Sequence, residues 1–285
     1  MLEYKELSEV DLKLHLLSGS PIRVGNLIIE PYTLREIKDY GYIRFMETLQ
    51  WGIIQKDDFI NAIDDFDKRE ILKSMSHSLT NFDFYTVVFP NIYLGKLIDF
   101  MSLVFKTDDI KLINQNMIAI DFEKYGIIVF DEKNQTHYFN EEKFVEYDEK
   151  DLKIVTKDNF DEIVEVVKLQ NCLQEVKKGD EYKFNPADEE TRKLIEQMEK
   201  MRKKVEEIKE KQNEENNEPV TIYEIISAVT AKSNNINKFN VWDLTLYQLY
   251  DEYKRLQAID NYDFSIKAIM AGAENVELKH WSSKL

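Results

Sequence analysis

Residues 186–217, PADEETRKLIEQMEKMRKKVEEIKEKQNEENN, lie between two apolar-rich regions and set the organisation of the chain. Pro186 is typical of a first helical turn, because a proline there gives up an N–H group that would have no helical partner. Most of the remaining positions are charged, but five apolar residues recur at the spacings of a coiled coil of roughly two heptads. These five residues, which we call the arm seam, are Leu194, Met198, Met201, Val205 and Ile208. The pattern predicts a charged helical arm.

The arm divides the chain into a larger and a smaller folded part. We expect a globular domain over residues 1–180, the charged helical arm over 181–218 and a three-helix module over 219–285. The 285 residues of the chain suit this division, since domains hold roughly 100–200 residues each. We also expect a chain cut before Pro219 to keep its first domain folded and to lose partner affinity.

Helical and strand patterns occur in separate blocks within the first part, which indicates the α+β class. Strand patterns over 111–120, 126–130 and 136–139 predict an antiparallel meander, and residues 153–156 fit a further strand. The predicted fold is therefore a mixed N-terminal domain with a small antiparallel sheet, followed by the arm and a small C-terminal helical module.

Local signals mark several turns and helix starts in the N-terminal region. The pair Gly25-Asn26 sits between two short apolar runs and predicts a hairpin turn. Thr33 and Glu36 have the spacing of a capping box, which begins a helix. Gly41 lies inside that helical pattern, where it costs about 1 kcal/mol relative to alanine and suits the close approach of another backbone. Residues 82–89 fit either a strand or a buried turn.

The net charge of the chain indicates whether it binds nucleic acids. There are 54 Asp and Glu residues against 38 Lys and Arg residues, which gives a formal net charge of −16. An acidic surface repels the phosphate backbone of nucleic acids. The lysines are interleaved with acidic residues and form no basic patch, so we expect no nucleic-acid binding.

Cysteine use and hydropathy indicate where the chain resides. Cys172 is the single cysteine, so no intrachain disulfide can form, and its apolar surroundings predict a buried side chain. The N-terminus lacks the pattern of a signal peptide. No apolar run reaches the roughly 18 residues of a membrane span, so we expect a cytoplasmic protein without membrane contact.

Residues that could carry chemistry are few. The four histidines are scattered, and the chain has no glycine-rich phosphate loop and no nucleophile elbow. Asp64-Asp65-Phe66-Asp67 lacks the later glycine and glutamate of a calcium loop. Asp121, Glu123 and Lys124 resemble a nuclease metal site but have the wrong spacing. We therefore expect no catalytic residue, no cofactor, no metal and no enzymatic activity.

The aromatic residues of the C-terminal module have two interpretations. Trp242, Tyr247, Tyr250 and Tyr253 recur with nearby leucines at spacings of three and four, which is typical of a helix core. Tyrosine and tryptophan also anchor protein interfaces. The arm seam has three alternatives, namely self-association, packing on its own domain and uptake of a partner helix. We take these four aromatics and the arm seam as the candidate partner-binding residues.

Two parts of the sequence resemble a known family. They are VWDLTLYQLYDEYKRL at 241–256 with IMAGA at 269–273 and His280-Trp281, and LLSGSPI at 16–22 with PYTLREI at 31–37. This succession is similar to tail assembly chaperones of bacteriophages that infect Gram-positive hosts. The similarity covers about a third of the chain and is one of general character, since the family has no catalytic signature.

The resemblance implies a function in binding. Tail assembly chaperones bind the tape-measure protein and shield its apolar helices until tail-tube subunits polymerise around it. It implies that this chain binds a tape-measure or other tail protein in the host cell cytoplasm, without catalysis. The alternative is a structural virion component, such as a tail, connector or baseplate protein that stays in the particle.

Overall fold

The computed structural model describes residues 2–63, 65–113, 115–131, 134–148, 151–173, 220–271, 276 and 278–283. The predicted arm over 181–218 lies outside these residues. So does the whole arm seam, which comprises Leu194, Met198, Met201, Val205 and Ile208.

The described residues form helices and short antiparallel strands, which confirms the predicted α+β class. The helices are α1 (Glu9–Ser18), α2 (Leu34–Tyr40), α3 (Tyr42–Ile53), α4 (Lys56–Asn61), α5 (Phe66–Met75), α6 (Asn81–Asp83), α7 (Pro90–Phe105), α8 (Glu141–Val145), α9 (Phe160–Gln170), α10 (Ile222–Lys232) and α11 (Leu246–Met270). The strands are β1 (Ile22–Val24), β2 (Leu27–Ile29), β3 (Ile110–Ile113), β4 (Met117–Ile120), β5 (Ile128–Asp131), β6 (Thr136–Phe139) and β7 (Lys153–Thr156).

The strands make three small sheets. Strands β1 and β2 form the predicted hairpin, and Gly25 takes a positive φ of 58° in its turn. The pattern over 111–120 is a hairpin of two strands, β3 and β4, rather than one strand. Strand β7 pairs with β4, and β5 and β6 pair only with each other among the described residues. The predicted single meander is therefore wrong, although its strands exist.

The sheets pack into two apolar clusters. The main cluster joins α3, α7 and α9 to the first hairpin and to β3, β4 and β7. A smaller cluster under β5 and β6 contains Ala119, Phe122, Ile127, Ile128 and Leu152. Phe122 and Ile127, at the two ends of the turn that follows β4, are buried in this second cluster. Strand β5 is thus directed away from β4, and the place beside β4 is free for β7.

Two glycines explain how the first helices pack. The predicted helix after Thr33 is broken at Gly41, which takes φ +97° and separates α2 from α3. No heavy atom lies within 4 Å of the place where a Cβ would stand on Gly41, so its backbone angle, not a close approach, requires glycine. The close approach occurs at Gly52 instead. A Cβ there would lie 2.1 Å from the ring of Phe100 on α7.

Residues 82–89 are helical, so the strand alternative is wrong. Helix α6 continues into a π-helical turn, Phe84–Val88, which is buried at its centre. The ring of Tyr85 is fully buried, and its hydroxyl donates hydrogen bonds to the carbonyls of Trp51 (2.7 Å) and Ile54 (3.2 Å). This segment holds α3 against the aromatic part of the core.

In its described residues, the C-terminal module has the two helices α10 and α11, where three were predicted. The predicted second and third helices form one continuous helix, α11, because no glycine or proline separates Leu256 from Asn261. A 3₁₀ turn, Val241–Asp243, precedes it. A capping box of Thr221 and Glu224 begins α10.

The module packs directly on the N-terminal part of the chain. The Leu34 amide donates a hydrogen bond of 2.8 Å to the Leu244 carbonyl, and Arg35 pairs with Asp243 at 2.9 Å. The side chain of Gln248 donates to the Leu17 carbonyl at 2.8 Å. The module's buried residues, which are Ile225, Val229, Val241, Leu246 and Leu249, belong to the main cluster. The two parts therefore share one core.

Candidate functional site

The four predicted aromatic residues lie at the contact between the module and the N-terminal part. Trp242, Tyr247, Tyr250 and Tyr253 are half-buried and pack against the main cluster. Burial raises the pKa of both Tyr247 and Tyr250 above its ordinary value. The Trp242 indole donates to the Lys238 carbonyl at 2.9 Å. The structure gives these residues an internal packing role, and their contact with a partner stays a prediction.

Helix α11 extends well beyond this contact. Its 25 residues correspond to about 37 Å. Leu246 and Leu249, which lie in its first turn, are its buried residues, and no residue of α11 after Leu249 is fully buried. The later turns contact α10 through the ion pair of Lys232 with Asp260. The distal half of α11 is therefore open to other contacts.

The end of the chain supports this distal half. The guanidinium of Arg255 donates to the carbonyls of Trp281 (2.6 Å) and Ser283 (3.2 Å). The rings of Tyr262 and His280 meet edge to face at 5.1 Å. These contacts hold residues 280–283 along α11 and leave its apolar tip uncovered.

Large apolar side chains are exposed on this module. Phe239 is 89% exposed, Met270 is 82% exposed and Phe264 is 74% exposed. We define the distal apolar set as Val220, Tyr223, Phe239, Phe264, Ile269 and Met270. Three of the six, Phe264, Ile269 and Met270, lie within seven residues of one another at the end of α11, and an exposed apolar surface of this kind is typical of a protein-interaction site where its residues adjoin. The sequence pattern did not predict their exposure. Helical spacing distinguishes buried from exposed residues only where the helix packs on the core along its whole length.

A second candidate site is an open groove of about 710 Å³ beside α2, α3 and α7. Three cations lie over three aromatic rings along its walls: Lys106 over Tyr32 at 4.4 Å, Arg44 over Tyr40 at 4.8 Å and Lys96 over Trp51 at 5.5 Å. Each such pair is worth about 0.5–1 kcal/mol at an exposed position. The groove also contains the carboxylates of Glu36, Glu47, Asp99 and Asp108.

The charges in the groove are partly paired with each other. Burial alone would raise the pKa of the Glu36 carboxyl, but hydrogen bonds from Lys106 and from the backbone and hydroxyl of Thr33 outweigh it and lower the pKa. The Lys106 ammonium lies 2.7 Å from Glu36. The groove offers ionic and aromatic contacts to a ligand, and no histidine lines it.

The carboxylate of Asp121, weighed above as part of a metal site, has a structural role. It accepts hydrogen bonds from the Lys153 ammonium at 2.6 Å and the Thr107 hydroxyl at 3.1 Å. Burial alone would raise its pKa, but these two donors outweigh burial and lower the pKa below its ordinary value. In the described part of the chain, no group of three or more His, Cys, Asp and Glu side chains could hold a metal ion.

Replacing Asp121 by alanine is expected to destabilise the protein by about 1–2 kcal/mol, because the Thr107 hydroxyl and the half-exposed Lys153 ammonium both lose their acceptor. Asp121→Asn is the matched control, since asparagine also tolerates the φ of +63° found here and keeps a bond to Thr107. Urea unfolding measures both variants.

The same pair predicts a pH dependence. Because the pKa of Asp121 is lower in the folded chain, its contribution is present above the unfolded value of about 3.9 and is lost as the pH falls through the folded value. The stability difference between wild type and Asp121→Ala should therefore shrink below about pH 4. A difference that stays constant down to pH 2 would contradict the ion pair.

Cys172 departs from its prediction. Its side chain is exposed, not buried, and its backbone has a φ of +55° just beyond the end of α9. The helix ends at Gln170, so the apolar periodicity that predicted burial stops before it reaches this residue.

None of the described helices combines the length and the apolar character needed to cross a lipid bilayer. Helix α11 is long enough, but Asp, Glu, Lys and Arg residues occur throughout it.

Residues 209–285, roughly a quarter of the chain, match the family model described as the YomV second domain. This match is consistent with a bacteriophage protein, and it covers α10 and α11 together with the distal apolar set. No curated protein and no solved structure matches the chain.

Proposed function

We propose that the chain is a bacteriophage tail-assembly chaperone that binds helical apolar segments of a tape-measure-like protein. The observation that carries the proposal is the distal apolar set, which is exposed on α10, on α11 and on the residues before each of them, within the segment that matches a phage-related domain. The resemblance of residues 16–37 and 241–281 to tail assembly chaperones supports the same function.

The chemistry of the surface suits reversible holding of an apolar client. Burial of a fully exposed Phe or Met side chain contributes about 1.5–3 kcal/mol, so a few such contacts give useful affinity without permanent association. The net charge of −16 keeps the protein and its client from aggregating. Binding of this kind needs no catalytic residue, cofactor or metal. Self-association through the arm is part of the proposal, because it would present two distal sets to one long client.

The test is a pull-down of the long helical protein encoded beside this one, after co-expression, with wild type and two double variants. Phe264→Ser with Met270→Ser removes the two most exposed members of the distal apolar set on α11. Phe66→Ser with Met75→Ser is the matched control, because it changes the same residue types on α5, where both are also exposed. Capture is expected to fall at least tenfold in the first variant and to stay unchanged in the second.

Mass spectrometry of purified particles separates the proposal from its alternative. A chaperone should be absent from finished particles, whereas a structural virion component should be present at fixed copy number. Presence in the particle, or equal capture by both double variants, would overturn the proposal.

A further inference from the structure

Strand β6 has a free edge. It pairs with β5 alone among the described residues, in the register Ile128↔Phe139 to Asp131↔Thr136. The Asn140 amide donates to the Ile127 carbonyl at 2.7 Å, which fixes the alternation of the ladder. It follows that the backbone N–H and C=O groups of His137 and Phe139 point away from β5.

The outer strand lacks the features that usually protect an edge. All four residues of Thr136–Phe139 are exposed, and three of them are aromatic or imidazole side chains on a strand without lysine or proline. Natural sheets usually cover such an edge or interrupt it with lysine, proline or a bulge. In the described chain, neither His137 nor Phe139 has a hydrogen-bond partner for these outward backbone groups. Another strand can therefore pair with the outward N–H and C=O groups of β6.

The side chains at this edge are held in place from behind. The His137 ring lies 5.0 Å from the ring of Phe130 and 3.0 Å from a Glu123 oxygen. The Phe139 ring packs on Phe144 of α8 at 5.2 Å. An added strand would meet an ordered edge, so less conformational entropy would be lost on binding.

The charge around the edge decides what kind of strand fits it. The described residues between 131 and 151 include six acidic and one basic residue, and Glu141 and Glu142 directly follow β6. Glu123 lies beside β6 and is paired with both His137 and Lys111. We propose that β6 binds an extended segment of a partner protein, with alternating basic and apolar residues, as an added β-strand. The backbone groups of β6 give affinity, and the acidic surroundings select a cationic segment. This site is separate from the distal apolar set and does not depend on the proposed function.

The test uses the full chain and a fluorescent peptide of about seven residues that alternates lysine and valine, which matches the length of a strand. His137→Pro removes one outward N–H group and leaves the β5 ladder intact, since proline is tolerated where the N–H faces away from the sheet. His137→Gln is the matched control, because it also removes the imidazole but keeps the N–H group. Wild type and His137→Gln are expected to bind the peptide, and His137→Pro at least tenfold more weakly.

Hydrogen exchange on wild type gives a readout that needs no variant. The amides of His137 and Phe139 should become protected when the lysine–valine peptide is added, and a glutamate–valine peptide should give no protection. Three results would overturn the proposal: no protection at either amide, equal binding of the acidic peptide, or equal binding by His137→Pro. Concentration-dependent dimers that disappear in His137→Pro would also overturn it, because a second copy would then occupy the edge.

Discussion

A chain cut after residue 219 is expected to lose at least about 4 kcal/mol of unfolding free energy and to unfold at ordinary temperature. The cut removes the partners of Leu16, Leu34 and Leu17 and opens the main cluster to water. Burial of each large aliphatic side chain contributes about 1.5–3 kcal/mol, so the loss is a large part of the 5–15 kcal/mol that holds a typical domain. This replaces the expectation that the first domain stays folded alone. Urea unfolding followed by circular dichroism measures it.

A point variant separates packing from chain length. Leu249→Ala empties a fully buried position on α11 and should cost about 2–5 kcal/mol. Met270→Ala, on the same helix but 82% exposed, should change stability by less than about 0.5 kcal/mol. If the truncated chain and Leu249→Ala both keep the stability of wild type, the module does not share the core.

Gly52→Ala is expected to destabilise the protein by about 3 kcal/mol or more. The new Cβ would lie 2.1 Å from the ring of Phe100, which is fully buried and cannot move aside without separating α3 from α7. The free energy of unfolding and the melting temperature measure the effect. A change below about 1 kcal/mol would show that the two helices do not approach as closely as described.

The chain supplies a matched control on the facing helix. Gly95 lies in α7, and no heavy atom is within 4 Å of the place of its Cβ. Alanine there gains helix propensity without a clash, so Gly95→Ala should stabilise the protein by about 0.5–1 kcal/mol. If Gly52→Ala lowers the free energy of unfolding and Gly95→Ala raises it, the difference comes from the space around each glycine, because the substitution is the same.

Short-range signals in the sequence were reliable guides to local structure. The capping boxes at Thr33 and Thr221 and the turn at Gly25 each act through atoms a few residues apart, so the sequence contains all that is needed to predict them. The fold class followed from the order of these elements.

Features that depend on distant residues could not be predicted in this way. Gly41 and Gly52 are both glycines in a helical pattern, and only the position of Phe100 shows which one is closely approached. The choice of β7 as the partner of β4 depends on the turn after Ile120. For the candidate site, the pattern on α11 predicted the half-buried aromatics but not the exposure of Phe264 and Met270. Their exposure depends on how far along α11 the other helices and strands pack, which the local sequence does not contain.

The joint between the two ends of the chain has a consequence for biosynthesis. Gln248 bonds to the Leu17 carbonyl across 231 residues, and Arg35 pairs with Asp243 across 208. A ribosome adding roughly 5–20 residues per second therefore leaves the first helices without their cover for about 10–50 s. During this time their apolar faces are available to cellular holdases, and the native core is completed only after residues 243–249 have left the ribosome. For this protein, the synthesis of this late segment determines when the core of the first helices can close.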